Sequence, residues 1–465
     1  MGIYEKNSLK EVIKSFLSFT PLESQEHLMD ALENFISSPQ NNKVFILNGY
    51  AGTGKTSIMG ALVKALDSLK IKNILLAPTG RAAKVFSSFA GKKAYTIHKR
   101  ILREDALDPY AGFFTAPNKD KNTLFLVDES SMISDDPISG NSLLEQLVSH
   151  VYSSPGCRMI LIGDKAQLPP VGQNDSPAMN PQRLTALGLE PSGFTLKEPV
   201  RQVKKSGILY NATLLRHMIT GAIQGDRPLR VTPFKDVTIV EPAELEDYLT
   251  SSWSKVGMNE TILITRSNWR ANGINHDIRG RILYAEEELM RDEQLIVTKN
   301  NYFWKFPGKN NADFIANGEG MTVKWFGNPE KKFGKRFIDT ELLFPNSDHL
   351  LSAKIILDSL SCEGPNLSRE ETYSLYQEVM NSYPGTRIQK SLALRKDPYF
   401  NALQIKYSYC VTCHKAQGGQ WKHVYIDLAG INPENMGEDY YRWLYTAITR
   451  ASEQLYLVNP SVATI

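Results

Sequence analysis

Short apolar runs, each closed by a turn or a charged residue and separated by helical stretches, recur along the first half of the chain. They are KVFILN before Gly49, NILLAP ending at Pro78, TLFLVD ending at Asp128 and RMILIGD ending at Asp164. Runs of this kind alternating with helices predict a parallel sheet wrapped by helices. A second set follows in TILITR ending at Arg266, YSYCVT ending at Thr412, HVYIDL ending at Leu428 and QLYLV ending at Val458. The expected fold is therefore α/β with two cores. Two segments of loop or β-turn composition break the rhythm and read as insertions. The first, Arg103 to Asn122, has turns around Tyr110, Phe113 and Phe114; the second, about Tyr302 to Asp397, is rich in Gly, Asn, Pro and Lys around strand-like runs such as MTVKWF.

At 465 residues the chain is long enough for about three or four domains. Apolar residues at 42% and charged residues at 22% are the proportions of a soluble globular protein, not of a disordered or membrane one. A net charge of +3 is compatible with nucleic-acid binding but does not argue for it. The start, MGIYEKNSLK, carries charges where a signal peptide needs an apolar core, and no run approaches the roughly 18 apolar residues of a membrane span. Four cysteines cannot form a disulfide framework in so long a chain, so a reducing compartment is expected. The location expected is the cytoplasm.

The segment GYAGTGKT follows the strand KVFILN, opens the helical run SIMGALVKAL and satisfies GxxxxGK[ST]. Glycines let backbone amides curl around phosphate, and the helix N-terminus adds positive partial charge. Gly49, Tyr50, Ala51, Gly52, Thr53, Gly54, Lys55, Thr56 and Ser57 are accordingly the expected ATP contacts, with Lys55 on the β and γ phosphates and Thr56 on Mg²⁺. Asp128 and Glu129 end an apolar strand, at the sheet edge where they face the same crevice. Asp128 is expected to hold Mg²⁺, directly or through water, and Glu129 to orient and deprotonate the attacking water. A strand-terminal acidic pair taken alone is as often a cap or a solvated turn.

GDKAQLPPVG, Gly163 to Gly172, resembles motif III of the superfamily 1 helicases, and further matches follow in order. Gln25 in FTPLESQEHLMDAL resembles the adenine-reading glutamine. APTGRAAKVF resembles motif Ia and YTIHK, around His98, the next DNA-contacting motif. LKEPVRQ places Arg201 like the motif IV arginine, CHKAQGGQW resembles motif V, and YTAITRA places Arg450 like the motif VI arginine finger. The resemblance is closest to the RecD-like and phage Dda-like helicases, with the petite-integration-frequency helicases as near relatives. It implies two RecA-like P-loop NTPase cores with a small β-hairpin pin insertion and an SH3-like β insertion. The implied domains are 1–98 with 123–225, the pin at 99–122, 226–301 with 398–465, and the SH3-like insertion at 302–397.

The same resemblance implies that Gln167 senses the γ phosphate, that Arg450 and Arg201 stabilise its developing charge, and that the motor moves 5′ to 3′ on single-stranded DNA. Partners implied are single-stranded DNA and single-strand/duplex junctions, with repair, recombination or replication proteins beside them and no membrane. Pro78, Thr79, Thr96, His98, Thr412, His414 and Lys415 are the implied DNA contacts, although helix capping and core packing compete for each threonine. Phe113 and Phe114 are either wedge residues of the pin or anchors of a small hairpin. The basic run KKFGKR, Lys331 to Arg336, is a weaker DNA candidate. An accessory ATPase subunit of a repair or nuclease complex and a helicase acting on RNA are the alternatives. CVTCH, from Cys410 to His414, matches the haem-attachment pattern, but it lies within the motif V match in a chain with no export signal; no second ligand pair stands at zinc spacing.

Overall fold

Along β1 (Lys43–Gly49), Phe45 and Leu47 enter one apolar cluster while Val44 and Ile46 enter another, because successive strand residues point to opposite faces. Both faces of this strand are therefore covered by helices. The structure is a computed structural model that describes residues 8–104, 113–135, 142–199, 205–223, 229–305, 315, 317–344, 350–430 and 437–460. The chain divides into two compact units: Met1–Glu104, Phe113–Asp226 and Gly437–Thr446 form unit 1; Asp105–Gly112, Arg227–Met436 and Ala447–Ile465 form unit 2.

In unit 1, β1 is followed by β2 (Asn73–Ala77), β3 (Ala94–Thr96), β4 (Leu102–Glu104), β5 (Phe113–Thr115), β6 (Leu124–Val127), β7 (Arg158–Gly163) and β8 (Glu190–Leu196). Six of them form one sheet in the order β3-β2-β6-β7-β1-β8, and every pairing is parallel. One face is packed by Leu28, Leu32, Ile58, Leu62, Leu66 and Phe86 from the helices Glu23–Ser37, Lys55–Ser68 and Gly80–Ala90. The other is packed by the helices Ile97–Ile101 and Leu143–Tyr152. β4 and β5 pair antiparallel, with Arg103 opposite Phe114 and Glu104 opposite Phe113; residues 105–112, which join them, lie outside the described residues.

Unit 2 contains β9 (Val237–Val240), β10 (Thr261–Thr265), β11 (Gln294–Val297), β12 (Gly320–Phe326), β13 (Glu330–Lys332), β14 (Lys335–Leu343), β15 (Leu350–Ile356), β16 (Leu403–Tyr407), β17 (Cys410–Thr412), β18 (Trp421–Asp427) and β19 (Ala451–Val458). A second parallel sheet runs β17-β10-β18-β19-β9. The remaining strands run β12-β11-β16-β15-β14-β13, and β12 also pairs with β14, so five strands close on themselves. Leu295, Val297, Met321, Val323, Ile338, Leu342, Leu351, Ile355, Leu403 and Ile405 are buried in its core. Closure removes the free edges that such short strands would otherwise expose.

Three expectations need correction here. β11 and β16 belong to this closed sheet yet lie outside the 302–397 boundaries, because β-pairing joins segments that sequence rhythm separates. The run YSYCVT is likewise split, Tyr407 ending β16 and Cys410–Thr412 forming β17. The second insertion also contains helices Asp358–Ser361, Arg369–Ser382 and Arg387–Leu394, contrary to its loop-like composition. Ser368 and Glu371 form a reciprocal cap at the start of the longest, and Leu375, Tyr376 and Val379 pack it on Phe337 and Ile356. Its apolar face is narrow, which hides it among polar neighbours.

Arg279 and Glu293 form a buried ion pair in unit 2, with Nη2 to Oε2 at 3.0 Å and exposures of 8% and 0%. The Tyr409 hydroxyl adds a hydrogen bond to Glu293 at 2.9 Å, and the guanidinium lies over the Tyr407 ring. Arg279→Ala leaves the carboxylate buried without its cation and is expected to destabilise the protein by about 3 to 5 kcal/mol, measured by denaturant unfolding.

Candidate active site

The loop between β1 and the helix Lys55–Ser68 lies at the carboxyl edge of the first sheet. Gly52 and Gly54 hold φ of +75° and +78°, a region costly for side-chain-bearing residues. A Cβ at Gly52 would stand 2.9 Å from Leu209 Cδ2, and one at Gly49 2.9 Å from Lys55 Cδ. Space and backbone conformation both demand this glycine pattern. Gly52→Ala is expected to destabilise the protein by about 1 to 3 kcal/mol through overpacking, read by thermal melting, and to weaken ATP binding in a nucleotide titration.

Side chains hold the loop from both sides. The Gln25 amide donates to the Thr53 carbonyl at 2.9 Å while its oxygen accepts from the Leu22 amide at 3.0 Å. Lys55 Nζ donates to the Gly49 carbonyl at 3.2 Å, and Arg216 stacks over the Tyr50 ring at 4.7 Å. Gln25 is therefore a strut of the phosphate loop, a role its resemblance-based reading did not include.

Acidic groups meet the loop from the two neighbouring strand ends. Burial, then the Glu129 charge, pushes the Asp128 carboxyl up to about 6, while Lys55 pulls it back. Glu129 sits at a left-handed φ of +49°, and its amide donates to Asp128 Oδ1 at 2.9 Å. A non-glycine residue there stores strain of the kind that collects at functional sites. Asp164, directly after β7, is 1% exposed; burial raises its carboxyl, opposed by Lys55 and by the Tyr445 hydroxyl. Asp164 was not among the expected site residues, although its place after an apolar strand repeats that of Asp128.

Two polar atoms are buried here with no hydrogen-bond partner among the described residues, Glu129 Oε2 and Gln167 Oε1. Such atoms are costly to leave unsatisfied and mark places for water or a ligand. Mg²⁺ keeps several waters and asks for only one or two protein oxygens. The orphaned carboxylate oxygen of Glu129 beside Asp128 leaves room in the hydrogen-bonding pattern for a water of such an ion.

Comparison with known proteins agrees with this geometry. A model described as an AAA domain matches residues 24–223, and one described as a UvrD-like helicase C-terminal domain matches residues 407–458. The chain is 26% identical over 349 residues to the ATP-dependent RecD2 DNA helicase of Deinococcus radiodurans, covering 71% of this chain and 44% of that protein. It is 26% identical over 292 residues to the ATP-dependent DNA helicase dda of phage T4, covering 60% of this chain and 61% of that one. The chain is similar in sequence to these superfamily 1 helicases. It spans less than two thirds of the length of either of these relatives. Among solved structures, the Pif1 helicase of Candida albicans aligns over 96% of both chains with a TM-score of 0.48 and 14% identity.

Positions of the helicase motifs implied to touch DNA fall at the carboxyl edges of the two sheets. In unit 1, Ala77 pairs with Thr96, so Pro78–Thr79 and Thr96–His98 leave neighbouring strands. The hydroxyls of Thr79 and Thr96 cap helices, accepting from the Ala82 and Lys99 amides at 3.2 Å each. Burial lowers the His98 pKa. In unit 2, Thr412 pairs with Thr265, His414 is exposed, and burial with repulsion from Lys406 pushes Lys415 down to about 8.

Arg450, in unit 2, is 6% exposed and donates to the Gly419 carbonyl at 3.2 Å and the Thr449 hydroxyl at 3.1 Å. Cys410 and Cys413 are each 1% exposed, and burial raises both thiols, that of Cys413 to about 12. They are core residues of this motif. Arg201 lies outside the described residues, as do the side chains of Phe113 and Phe114. No helix among the described residues is long and apolar enough to cross a membrane.

Proposed function

We propose that this chain is an ATP-driven motor that moves 5′ to 3′ on single-stranded DNA and separates duplex at single-strand/duplex junctions. The observation that carries the reading is the meeting of two acidic strand ends, Asp128–Glu129 and Asp164, with Lys55 of the phosphate loop, whose charge acts on both the Asp128 and the Asp164 carboxyls. Lys55 binds the β and γ phosphates, and loop amides with the helix N-terminus bind the rest. Mg²⁺, held by Asp128 and Thr56, neutralises phosphate charge when bound. Glu129 orients the attacking water and takes its proton. Gln167 donates from its amide nitrogen to the γ phosphate, and its buried, unpaired oxygen accepts from the attacking water. Arg450 and Arg201 stabilise charge on the transferring phosphoryl group.

DNA is held by the strand-end residues Pro78, Thr79, His98, Thr412, His414 and Lys415 through sequence-independent backbone contacts. The β4–β5 hairpin, with Phe113 and Phe114, is the pin, and the closed five-stranded sheet is the SH3-like element. The test is the steady-state ATPase rate with and without single-stranded DNA. Strong stimulation supports the motor, and its absence overturns it. The chain is also 23% identical to the RecBCD enzyme subunit RecD of Buchnera aphidicola, over 90% of its length, which favours a second reading as one subunit of a larger complex with repair proteins as partners. Unwinding by the purified chain alone rejects that reading. Competition between matched DNA and RNA strands fixes the substrate.

A further inference from the structure

The helix Glu438–Ile448 presents three polar side chains, Arg442, Tyr445 and Thr446, on one face, at spacings of three and four residues. Gly437–Thr446 folds with unit 1, and all three side chains are buried, Tyr445 to 1% and Thr446 to 0% exposure. The Tyr445 hydroxyl accepts from the Ala51 amide of the phosphate loop at 2.9 Å and donates to Asp164 Oδ2 at 2.6 Å. Thr446 Oγ1 accepts from the Leu168 amide at 2.8 Å. The Arg442 guanidinium donates to the carbonyls of Lys165 and Gln167.

Within the loop itself, Asp164 Oδ1 accepts from the Ala166 amide at 2.9 Å and the Asp164 carbonyl from the Gln167 amide at 3.2 Å. The backbone around Gln167 is thus held by this helix face, by Asp164 and by Asn48, whose Oδ1 accepts from the Lys165 amide at 3.0 Å. Gln167 itself is 5% exposed, and its Oε1 has no partner among the described residues. An amide held that rigidly, with its oxygen buried and unpaired, is placed to accept from a donor that arrives with a ligand, such as the attacking water, while its nitrogen is the atom that donates to a terminal phosphate oxygen.

We infer that Tyr445, supported by Thr446 and Arg442, is a positioning residue that makes the site discriminate a nucleoside triphosphate from a diphosphate. Its hydroxyl ties the Ala51 amide to the carboxylate that shapes the Gln167 loop, so the phosphate loop and the γ-phosphate side of the site keep a fixed separation. Removing the hydroxyl lets the two relax independently. The terminal phosphate then loses a preorganised contact, whereas the α and β phosphates keep theirs. The anchoring face ends at Thr446, where the chain passes into unit 2.

This inference rests on the ATP-site reading of unit 1, and the experiment separates the two. Equilibrium dissociation constants of ATPγS and ADP, each with Mg²⁺, are measured for the full chain, for Tyr445→Phe and for Thr446→Val. Their ratio is independent of the folded fraction, so a merely structural role leaves it unchanged. Tyr445→Phe is expected to lower the preference for ATPγS over ADP by about fivefold to tenfold, the size of one hydrogen bond. Thr446→Val, which keeps the side-chain shape and loses only the bond to Leu168, is expected to lower it less and carries the test if Tyr445→Phe does not fold. An unchanged ratio in the variants, with the parent chain binding both nucleotides, overturns the inference alone. Failure of the parent chain to bind either nucleotide overturns the ATP-site reading itself.

Discussion

Arg450→Ala is expected to lower DNA-stimulated ATP turnover by about 10³-fold or more, the range for loss of an arginine that stabilises the transferring phosphoryl group. Charge grows on the γ-phosphoryl oxygens during hydrolysis, and a guanidinium offers two parallel donors to such a group. Arg450 also donates to the Gly419 carbonyl, so the alanine variant loses a structural bond as well. Arg450→Lys separates the effects, since it keeps the charge and loses the fork. Both variants are to be compared by single-turnover hydrolysis at saturating ATP. A lysine variant near parent activity would remove the fork geometry from the mechanism, and an active alanine variant would remove Arg450 altogether.

Glu129→Gln is expected to reduce turnover by about 10²- to 10⁴-fold, the usual contribution of a positioned general base. The substitution preserves shape and keeps the backbone bond to Asp128 Oδ1, which comes from the main chain. It also removes the like charge that helps raise the Asp128 carboxyl. ATP binding is therefore expected to hold or tighten while hydrolysis stops. Nucleotide affinity and single-turnover rate measured on the same preparation check this pair of outcomes. Parallel loss of both would place Glu129 in binding and not in proton transfer.

Much of this site is legible in the sequence because its parts are local. A phosphate loop needs glycines where φ is positive and where Leu209 and Lys55 leave no room for a Cβ, and the acidic pair needs only to follow an apolar strand. Contacts made between separate segments of the chain leave no such trace. Tyr445 on Ala51 and Asp164 is one case; Gln25 bracing Thr53 is another. Each binds a backbone atom, the Ala51 amide for Tyr445 and the Thr53 carbonyl for Gln25, which any residue supplies.

The fold divides in the same way. The strands buried on both faces, such as β1 and β6, announce themselves as continuous apolar runs. The edge strand β8 does not, because most of its residues are exposed or half-buried. The closed sheet of unit 2 is assembled from strands on both sides of the segment that composition marks out, with Leu295 facing Tyr407 across it. Register between such distant strands is set by packing in three dimensions. The capped helix Arg369–Ser382 was hidden by its polar surroundings for the related reason that only a narrow face of it is buried.

The central claim, that hydrolysis at Lys55 drives directional movement on DNA, is tested most directly by unwinding of two matched duplexes, one with a 5′ single-stranded tail and one with a 3′ tail. The account predicts ATP-dependent strand separation of the 5′-tailed duplex only, abolished by Lys55→Ala. Separation of the 3′-tailed duplex alone would contradict the direction of movement, and separation of neither, with no stimulation of ATP hydrolysis by single-stranded DNA, would contradict the motor itself.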